Sequence, residues 1–363
     1  MNFYTAKKLR QALVICLALV CFQFAQAQEI HFSQIRNAPL QLNPALAGIF
    51  DGDHRFAANY RSQWQSVPVG YQTLNGSWDT RFNKNKSNTN FFGGGIVFNY
   101  DWAGDSRLST TYLALNGSYT QRIAKQHFIG GGISIGGFQR AFKMDDLRWD
   151  DQFIENGKQY NPDALTGENF DNTGRIYGDF SAGLNYHFRK EEKKRQGSRT
   201  TLDVGAGLLH INRPEQNFYE NETVRLERLL NIYGLTTLQL SKKFDLVALF
   251  NGRYQGEETE HVANLGGRLH LNPKPTHRTA VGLGVGYRWN AEGFGTGDAI
   301  IPNIEVLFRD WLFGFSYDIN ISDFGRAANT NATNNFGGPE FSVIYMLRRV
   351  NEREFCPTCP VYQ

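Results

Sequence analysis

The stretch TAVGLGVGYRW, residues 279–289, decides how the rest of the chain is read. Val281, Leu283, Val285, Tyr287 and Trp289 point one way, while Gly282, Gly284, Gly286 and Arg288 point the other. Strict alternation marks a β-strand whose two faces meet different surroundings. One face here is wholly apolar and the other is small or charged. The same logic recurs in 311–322, where Trp311, Phe313, Phe315, Tyr317, Ile319 and Ile321 oppose Gly314, Ser316, Asp318, Asn320 and Ser322. It recurs again in 176–188, where Ile176, Phe180, Ala182, Leu184, Tyr186 and Phe188 oppose Asp179, Ser181, Gly183, Asn185 and His187. Strands of soluble sheets are usually about 5–6 residues, whereas a strand crossing a bilayer at a tilt needs about 9–11. An apolar face for lipid and a polar face for a lumen is the pattern of a transmembrane β-barrel.

Fourteen such segments follow one another: 54–64, 69–80, 91–101, 109–122, 127–141, 174–188, 199–211, 229–240, 244–254, 258–270, 277–289, 298–308, 311–322 and 336–348. The expected fold is therefore all-β, a transmembrane antiparallel barrel of about 14 strands. With the N-terminus on the periplasmic side, the connections 142–173, 212–228, 290–297 and 323–335 fall outside. The connections 81–90, 123–126, 189–198, 241–243, 271–276 and 309–310 fall inside. The longer ones lie mainly on one side, as in outer-membrane barrels, which also have even strand numbers. No internal repeat of about 20–50 residues is visible, which argues against a propeller. Tyr287, Trp289 and Trp311 sit near strand ends, where an interfacial aromatic girdle belongs.

Residues 1–27 read as a secretory signal peptide. Lys7, Lys8 and Arg10 form a positive start, Ala12 to Phe24 is mostly apolar, and Ala25-Gln26-Ala27 is a small-residue cleavage site. Cys21 follows Leu19-Val20 rather than a small residue, so lipidation there is not expected. Removing 1–27 takes away three basic residues and leaves 35 basic against 35 acidic. Such a balance carries no electrostatic footprint for nucleic acid. Only Cys356 and Cys359 remain, too few for a disulfide framework. A local disulfide in an exported tail is the expectation for them. The chain thus divides into a signal peptide (1–27), an N-terminal plug or leader (28–53), a barrel (54–349) and a periplasmic tail (350–363).

Several stretches imitate catalytic or metal motifs. Gly132-Ile133-Ser134-Ile135-Gly136 matches the G-x-S-x-G nucleophile elbow, but that elbow needs a strand-to-helix turn, and this stretch lies inside an alternating strand. Gly282, Gly284 and Gly286 are alternate inward positions, not a phosphate loop before a helix. Asp145, Asp146, Asp150 and Asp151 crowd Trp149 without EF-hand spacing. The Cys356–Cys359 pair supplies two of the four ligands that zinc takes. No catalytic, cofactor-binding or metal residues are expected. More weight falls on inward charges: Arg55 and Arg61, on one face with Asn59 and Gln63, and Asp245, Arg253, Arg268, Asn303, Glu305 and Asp318. In a lumen these must be paired or hydrated, either as a network that fills the barrel or as a polar path.

Residues 28–53 precede the first strand. Pro39 and Pro44 cannot donate to a β-ladder, yet Phe32, Ile35, Leu40, Leu42, Leu46, Ile49 and Phe50 need a surface to cover. The expectation is an ordered plug at the inner mouth of the lumen, or a segment that docks a partner. Its candidate residues are Pro39, Leu42, Asn43, Pro44, Ala45 and Gly48. Asn43-Pro44 would turn the chain, and Arg61 and Trp64 of the first strand complete the set, with Arg61 as a neighbour of the plug.

The segments that carry the most specific resemblance are His31-Phe32-Ser33-Gln34, Pro39-Leu40-Gln41-Leu42-Asn43-Pro44-Ala45-Leu46-Ala47-Gly48, and Asn59-Tyr60-Arg61-Ser62-Gln63-Trp64 followed by Pro68 and Tyr71. In this order they resemble the PorP/SprF family of outer-membrane proteins of the type IX secretion and gliding system. The resemblance is close over 31–71 and general beyond it. It implies a non-enzymatic outer-membrane barrel that supports export or surface attachment of cargo such as adhesins. Its partners would be membrane lipid, periplasmic and outer-membrane secretion-machinery proteins, and the cargo. The alternative is a passive outer-membrane channel for small solutes or hydrophobic substrates. A channel would conduct alone, whereas a secretion component would co-purify with partners. The chain ends Cys-Pro-Val-Tyr-Gln rather than on a terminal aromatic of a barrel strand, so 350–363 is read as tail.

Overall fold

Alternation over ten or more residues forces each stretch into extended backbone, and the only way to leave no open edge in lipid is to close the sheet. The computed structural model shows that closure. It describes residues 30–63, 70–82, 90–104, 107–143, 147–154, 159–161, 163–164, 173–190, 198–218, 224–272, 278–290, 297–322 and 336–347. The strands are β1 (His54–Gln63), β2 (Tyr71–Phe82), β3 (Asn90–Ala103), β4 (Leu108–Ala124), β5 (His127–Ala141), β6 (Phe153–Ile154), β7 (Gln159–Tyr160), β8 (Gly174–Arg189), β9 (Thr201–Leu209), β10 (Leu229–Gln239), β11 (Phe244–Gln255), β12 (Glu258–Asn272), β13 (Thr279–Asn290), β14 (Gly297–Phe308), β15 (Trp311–Asn320) and β16 (Phe336–Leu347). The hairpin β6–β7 stands apart in a connection. The other fourteen form one antiparallel barrel, each paired with its neighbour in sequence, and β1 closes it on β16 from His54↔Leu347 to Arg61↔Glu340. The signal peptide, the tail with Cys356 and Cys359, and Trp64 lie outside the described residues.

The chain enters β1 at one end of the barrel, here called the entry end. The connections 83–89, 125–126, 190–200, 240–243, 273–278 and 309–310 are at this end. The far end has the long connections 142–173, 210–228 and 321–335, the shorter 64–70 and 291–296, and two tight ones, 104–107 and 256–257. Short turns face the periplasm in outer-membrane barrels, so the entry end is the periplasmic one. Leu283, Ile133, Leu115 and Leu265 stand out to the lipid side, with well over half of each exposed. Trp311, Phe313 and Tyr345 stack at the entry end of that face. Phe250, Tyr254, His261 and Trp289 cluster at the far end.

Besides register shifts near the entry end at Arg122/Ala124 and His270/Asn272, the wall is irregular in two places toward the far end. β9 is shorter than the alternation predicts, ending at Leu209. Beyond it, Ile211 N donates to Phe180 O at 2.9 Å, and the Asn212 side chain accepts from Phe180 N at 3.1 Å and donates to Gly178 O at 2.8 Å. One amide side chain thus continues the edge that β9 leaves open. The second place is the far half of β13–β16. Pro302 in β14 and Pro339 in β16 both interrupt central strands, and the pairing shifts at Arg288/Trp289 and at Asp318/Ile319. Proline removes a ladder donor, and bulges are where a sheet tolerates that loss.

Candidate functional site: an occupied lumen

The buried core lies inside the barrel and is built around the N-terminal segment. Residues 35–46 fold into three single turns: a 3₁₀ turn Ile35–Asn37, a helical turn Pro39–Leu42 and a 3₁₀ turn Pro44–Leu46. Pro39 and Pro44 begin their turns, where the missing N–H is not needed. Asn43 is extended between two turns, and its Oδ1 accepts from Ala45 N at 2.8 Å. These local bonds, together with barrel side chains that reach backbone groups of Asn37, Leu42, Leu46, Ala47 and Gly48, satisfy the segment without a place in the sheet. Gly48 has φ +76°, a left-handed conformation that glycine adopts without strain.

One side of the lumen is shaped to this segment by glycine. A Cβ at Gly132 of β5 would fall 2.4 Å from Ala45 N, and one at Gly183 of β8 would fall 2.0 Å from Asn43 Oδ1. At Gly93 of β3 it would fall 2.2 Å from Ala47 O, and at Gly207 of β9 it would fall 2.8 Å from Leu42 O. At Gly93, Gly132 and Gly207 backbone meets backbone, and at Gly183 the Asn43 side chain meets it, because nothing larger than hydrogen fits between them. Asn43 Nδ2 donates to Leu184 O at 3.0 Å, Ala206 O at 3.1 Å and Tyr233 Oη at 3.0 Å. The Tyr233 hydroxyl donates in turn to Asn185. Leu40 and Ala47 pack with Val97, Tyr112, Ala114 and Phe138, while Ile35, Leu42 and Leu46 pack with Tyr233, Leu235, Leu249 and Val262. At the entry end Gly48 N donates to Asp79, which also holds Arg55 at 2.8 Å.

The other side is charged. Glu340 accepts from Ser33 N at 2.7 Å and Gln34 N at 2.9 Å. Ser33 Oγ donates to Asp318 at 2.8 Å. Asp318 also takes Arg61 at 2.6 Å and Arg288 at 2.9 Å, and Arg288 reaches Asp298 at 2.6 Å. Asn37 Nδ2 donates to Ser342 Oγ and Asn37 O accepts from Asn59. Five strands (β1, β13, β14, β15 and β16) thus converge on three residues of the segment, Ser33, Gln34 and Asn37. Arg36 turns to β10, donating to Thr236 O and Thr237 Oγ1. Burial and the nearby Arg268 hold its guanidinium below the ordinary pKa, against Glu305 and Asp203, which raise it.

Pro39, Leu42, Asn43, Pro44, Ala45 and Gly48 are all buried in the lumen, and Leu42, Asn43, Pro44, Ala45 and Gly48 lie against the glycines of the wall. One expectation is corrected. The segment does not stop at the inner mouth: it runs from Ser33 beside the far-end residues Arg61 and Glu340 down to Gly48 beside Asp79 at the entry end. The glycine faces let it lie flat along the wall, and the buried acids of the far half need its backbone donors. Arg61 meets the segment at Ser33, through Asp318. The inward charges do pair, Arg268 with Glu305 at 2.5 Å and Arg253 with Glu260 at 3.7 Å among them.

Alternation alone did not reveal the lining glycines, Tyr233, Asp79, Arg288 or Glu340 as partners of the segment. The available signal was glycine at inward positions of β3, β5, β8 and β9, where small size alone does not tell a void from a close contact. Gly132–Gly136 is regular strand with Ile133 and Ile135 out in lipid, so no elbow turn occurs there. Three lumen carboxylates hold histidines, Asp179 with His210, Asp245 with His270 and Asp203 with His187. Each carboxylate is also tied to a second wall residue, namely Tyr112, Arg199 and Asn185. Among the described residues no cluster of three or more His, Cys, Asp or Glu could hold a metal. At the far mouth the described parts of the connection, 210–218 and 224–228, fold inward. Arg140 donates to Gln216, the Tyr177 hydroxyl to Asn217 O, and Leu226 joins the Tyr112–Phe138 cluster.

Comparison with known proteins places this architecture. No curated protein matches the chain. Among solved structures it is similar to the toluene transporter TbuX of Ralstonia pickettii, at 10% identity and TM-score 0.50, covering 86% of this chain and 94% of that one. It is also similar to the monoaromatic hydrocarbon channel CymD, at 8% identity and TM-score 0.45, with 86% and 93% covered. A third is an outer membrane channel from Pseudomonas putida F1, at 10% identity and TM-score 0.40, with 82% and 96% covered. At such identity the likeness speaks for the outer-membrane barrel fold alone. The family model for the type IX secretion system membrane protein PorP/SprF matches residues 24–334, which takes in the lumen segment and thirteen of the fourteen barrel strands. The chain, an outer-membrane β-barrel carrying its own N-terminal segment in the lumen, therefore belongs to the PorP/SprF family of type IX secretion system membrane proteins.

Proposed function

We propose that this barrel is a non-enzymatic component of the secretion machinery that supports export or surface attachment of a cargo protein, with its own lumen kept shut. The observation that carries the reading is the built lumen: the segment with the densest family motif, Pro39–Gly48, occupies a wall of glycines cut to its shape. A surface so fitted serves a resident segment, not a passing solute. The barrel's contacts with periplasmic and outer-membrane machinery then lie on its two ends. The test is replacement of the chromosomal gene by one lacking residues 30–48 but keeping the signal. A heat-modifiable barrel should still form, cargo should stay behind in the periplasm, and co-purification of machinery proteins should fall. Normal cargo export by that variant would overturn the reading.

The second reading is a passive outer-membrane channel, favoured by the likeness to a toluene transporter. Planar-bilayer recording separates the two. A silent wild-type barrel that conducts only after deletion of 30–48 fits the first reading, and a conducting wild type fits the second.

A further inference from the structure

The two ends of the barrel differ sharply in charge. The six connections at the entry end hold 13 Lys and Arg against 3 Asp and Glu in sequence, and each of the six holds at least one Lys or Arg. The seven connections at the far end hold 8 Lys and Arg against 16 Asp and Glu. Among the described residues of the entry end, Lys125, Lys190, Lys242, Lys243 and Arg309 are exposed. Two further arginines are engaged elsewhere: Arg189 and Arg278 turn to Asp51 at 3.7 and 3.5 Å.

Position says what the exposed charges meet. Lys125 follows the lipid-facing Ile123 by two residues. Lys242 and Lys243 lie between the exposed Leu240 and Phe244. Arg309 follows the exposed Phe308, and its guanidinium carbon sits 5.4 Å from that ring's centroid. Each of these four charges therefore stands one or two residues from the last side chain in hydrocarbon, at the depth of lipid phosphates. Long basic side chains at that depth extend toward the headgroups. The charges are also spread round the circumference, one turn after another. A protein docking on the mouth would be met by charges on the lumen side or by one patch, whereas a bilayer leaflet presents phosphate on every side.

We propose that this basic ring binds the phosphate headgroups of anionic phospholipids in the periplasmic leaflet, gathering them round the barrel and fixing its depth. The inference is independent of the secretion role and rests only on the barrel and its short-turn end. The acidic far end, by the same electrostatics, leaves anionic lipid on that side unattracted.

The test uses the full mature chain in vesicles of phosphatidylcholine with phosphatidylglycerol as the minor component. Spin-labelled analogues of each lipid report which one is held at the barrel surface. Phosphatidylglycerol should be enriched about twofold or more over phosphatidylcholine at low ionic strength, and the enrichment should fall toward parity in about 1 M salt, where the Debye length is about 3 Å. The variant K125Q/K242Q/K243Q/R309Q should lose the enrichment while keeping heat-modifiable migration. If it does not fold, K242Q/K243Q, confined to one hairpin turn, should lose part of it. Equal retention of both lipids by the wild type overturns the proposal and leaves the ring for an acidic protein. So does enrichment that neither salt nor the variants reduce. Labelling of Lys242→Cys by an impermeant maleimide on intact cells would overturn the leaflet, placing the ring against lipopolysaccharide phosphates instead.

Discussion

The two walls that hold the N-terminal segment hold it by different physics. Along β3, β5, β8 and β9 the contact is shape: missing side chains let Leu42–Ala47 lie on the sheet backbone, and the polar supplement is mainly the Asn43 amide. Across β13–β16 and β1 the contact is charge: two acids and two arginines close over Ser33 and Gln34. Shape tolerates substitution poorly but loses only contact area when it fails. A buried ion cluster, once one partner is removed, leaves another charge stranded in low dielectric. The comparison teaches that the far-end wall is the more brittle of the two, although the glycine wall covers more of the segment.

The largest effect tests that ranking directly. Arg61→Ala takes away the arginine beside Glu340 and leaves Asp318 with Arg288 alone, and should cost about 3–5 kcal/mol, read as loss of the compact gel band during urea titration in lipid. A cost within about 1 kcal/mol, the range of exposed pairs, would mean that the cluster is hydrated and the ranking wrong. Gly132→Val drives a side chain into Ala45 and should cost about 1–3 kcal/mol, as overpacking does. Ala45→Cys in that background should become reactive to maleimide, and unchanged protection would show the wall yielding instead. Combining Arg61→Ala with Gly132→Val sharpens the contrast. If the walls act separately the costs sum to within about 0.5 kcal/mol, while a clear shortfall means that the segment leaves as one body. Arg225→Gln is the smallest: it removes the exposed pair with Glu215, so its cost should stay under about 1 kcal/mol.

The barrel itself was written plainly in the chain. Period-two alternation reports which face a side chain takes, and that fixed fourteen strands with several starts, such as His54, His127 and Gly174, at the residue where the alternation begins. The lumen was only half legible. Phe32, Leu40 and Leu42 announced a segment in need of cover, and Arg55, Arg61 and Asp318 announced inward charge. Alternation carries no information on which distant residue an inward side chain meets. Ser33 and Glu340 are 307 positions apart, and nothing local in either ties it to the other. Inward glycines such as Gly132 and Gly183 look alike in sequence whether they border a void or touch another backbone. Pro302 and Pro339 mislead in the opposite sense. Proline argues against a central strand, yet the bulge at Asp318/Ile319 adjoins Pro339, and the β14–β15 pairing breaks off at Ile301 and Pro302.

The ion cluster straddles the line where the barrel closes, with Arg61 on the first strand and Glu340 on the last. Its binding place for Ser33 and Gln34 exists only when β16 is paired with β1, whereas the glycine wall needs only β3, β5, β8 and β9. The strand pair that seals the cylinder also locks its occupant. A chain truncated before Phe336 would keep the wall that receives the segment and lack the acid that fastens it. Completion of the fold and closure of the pore become a single event.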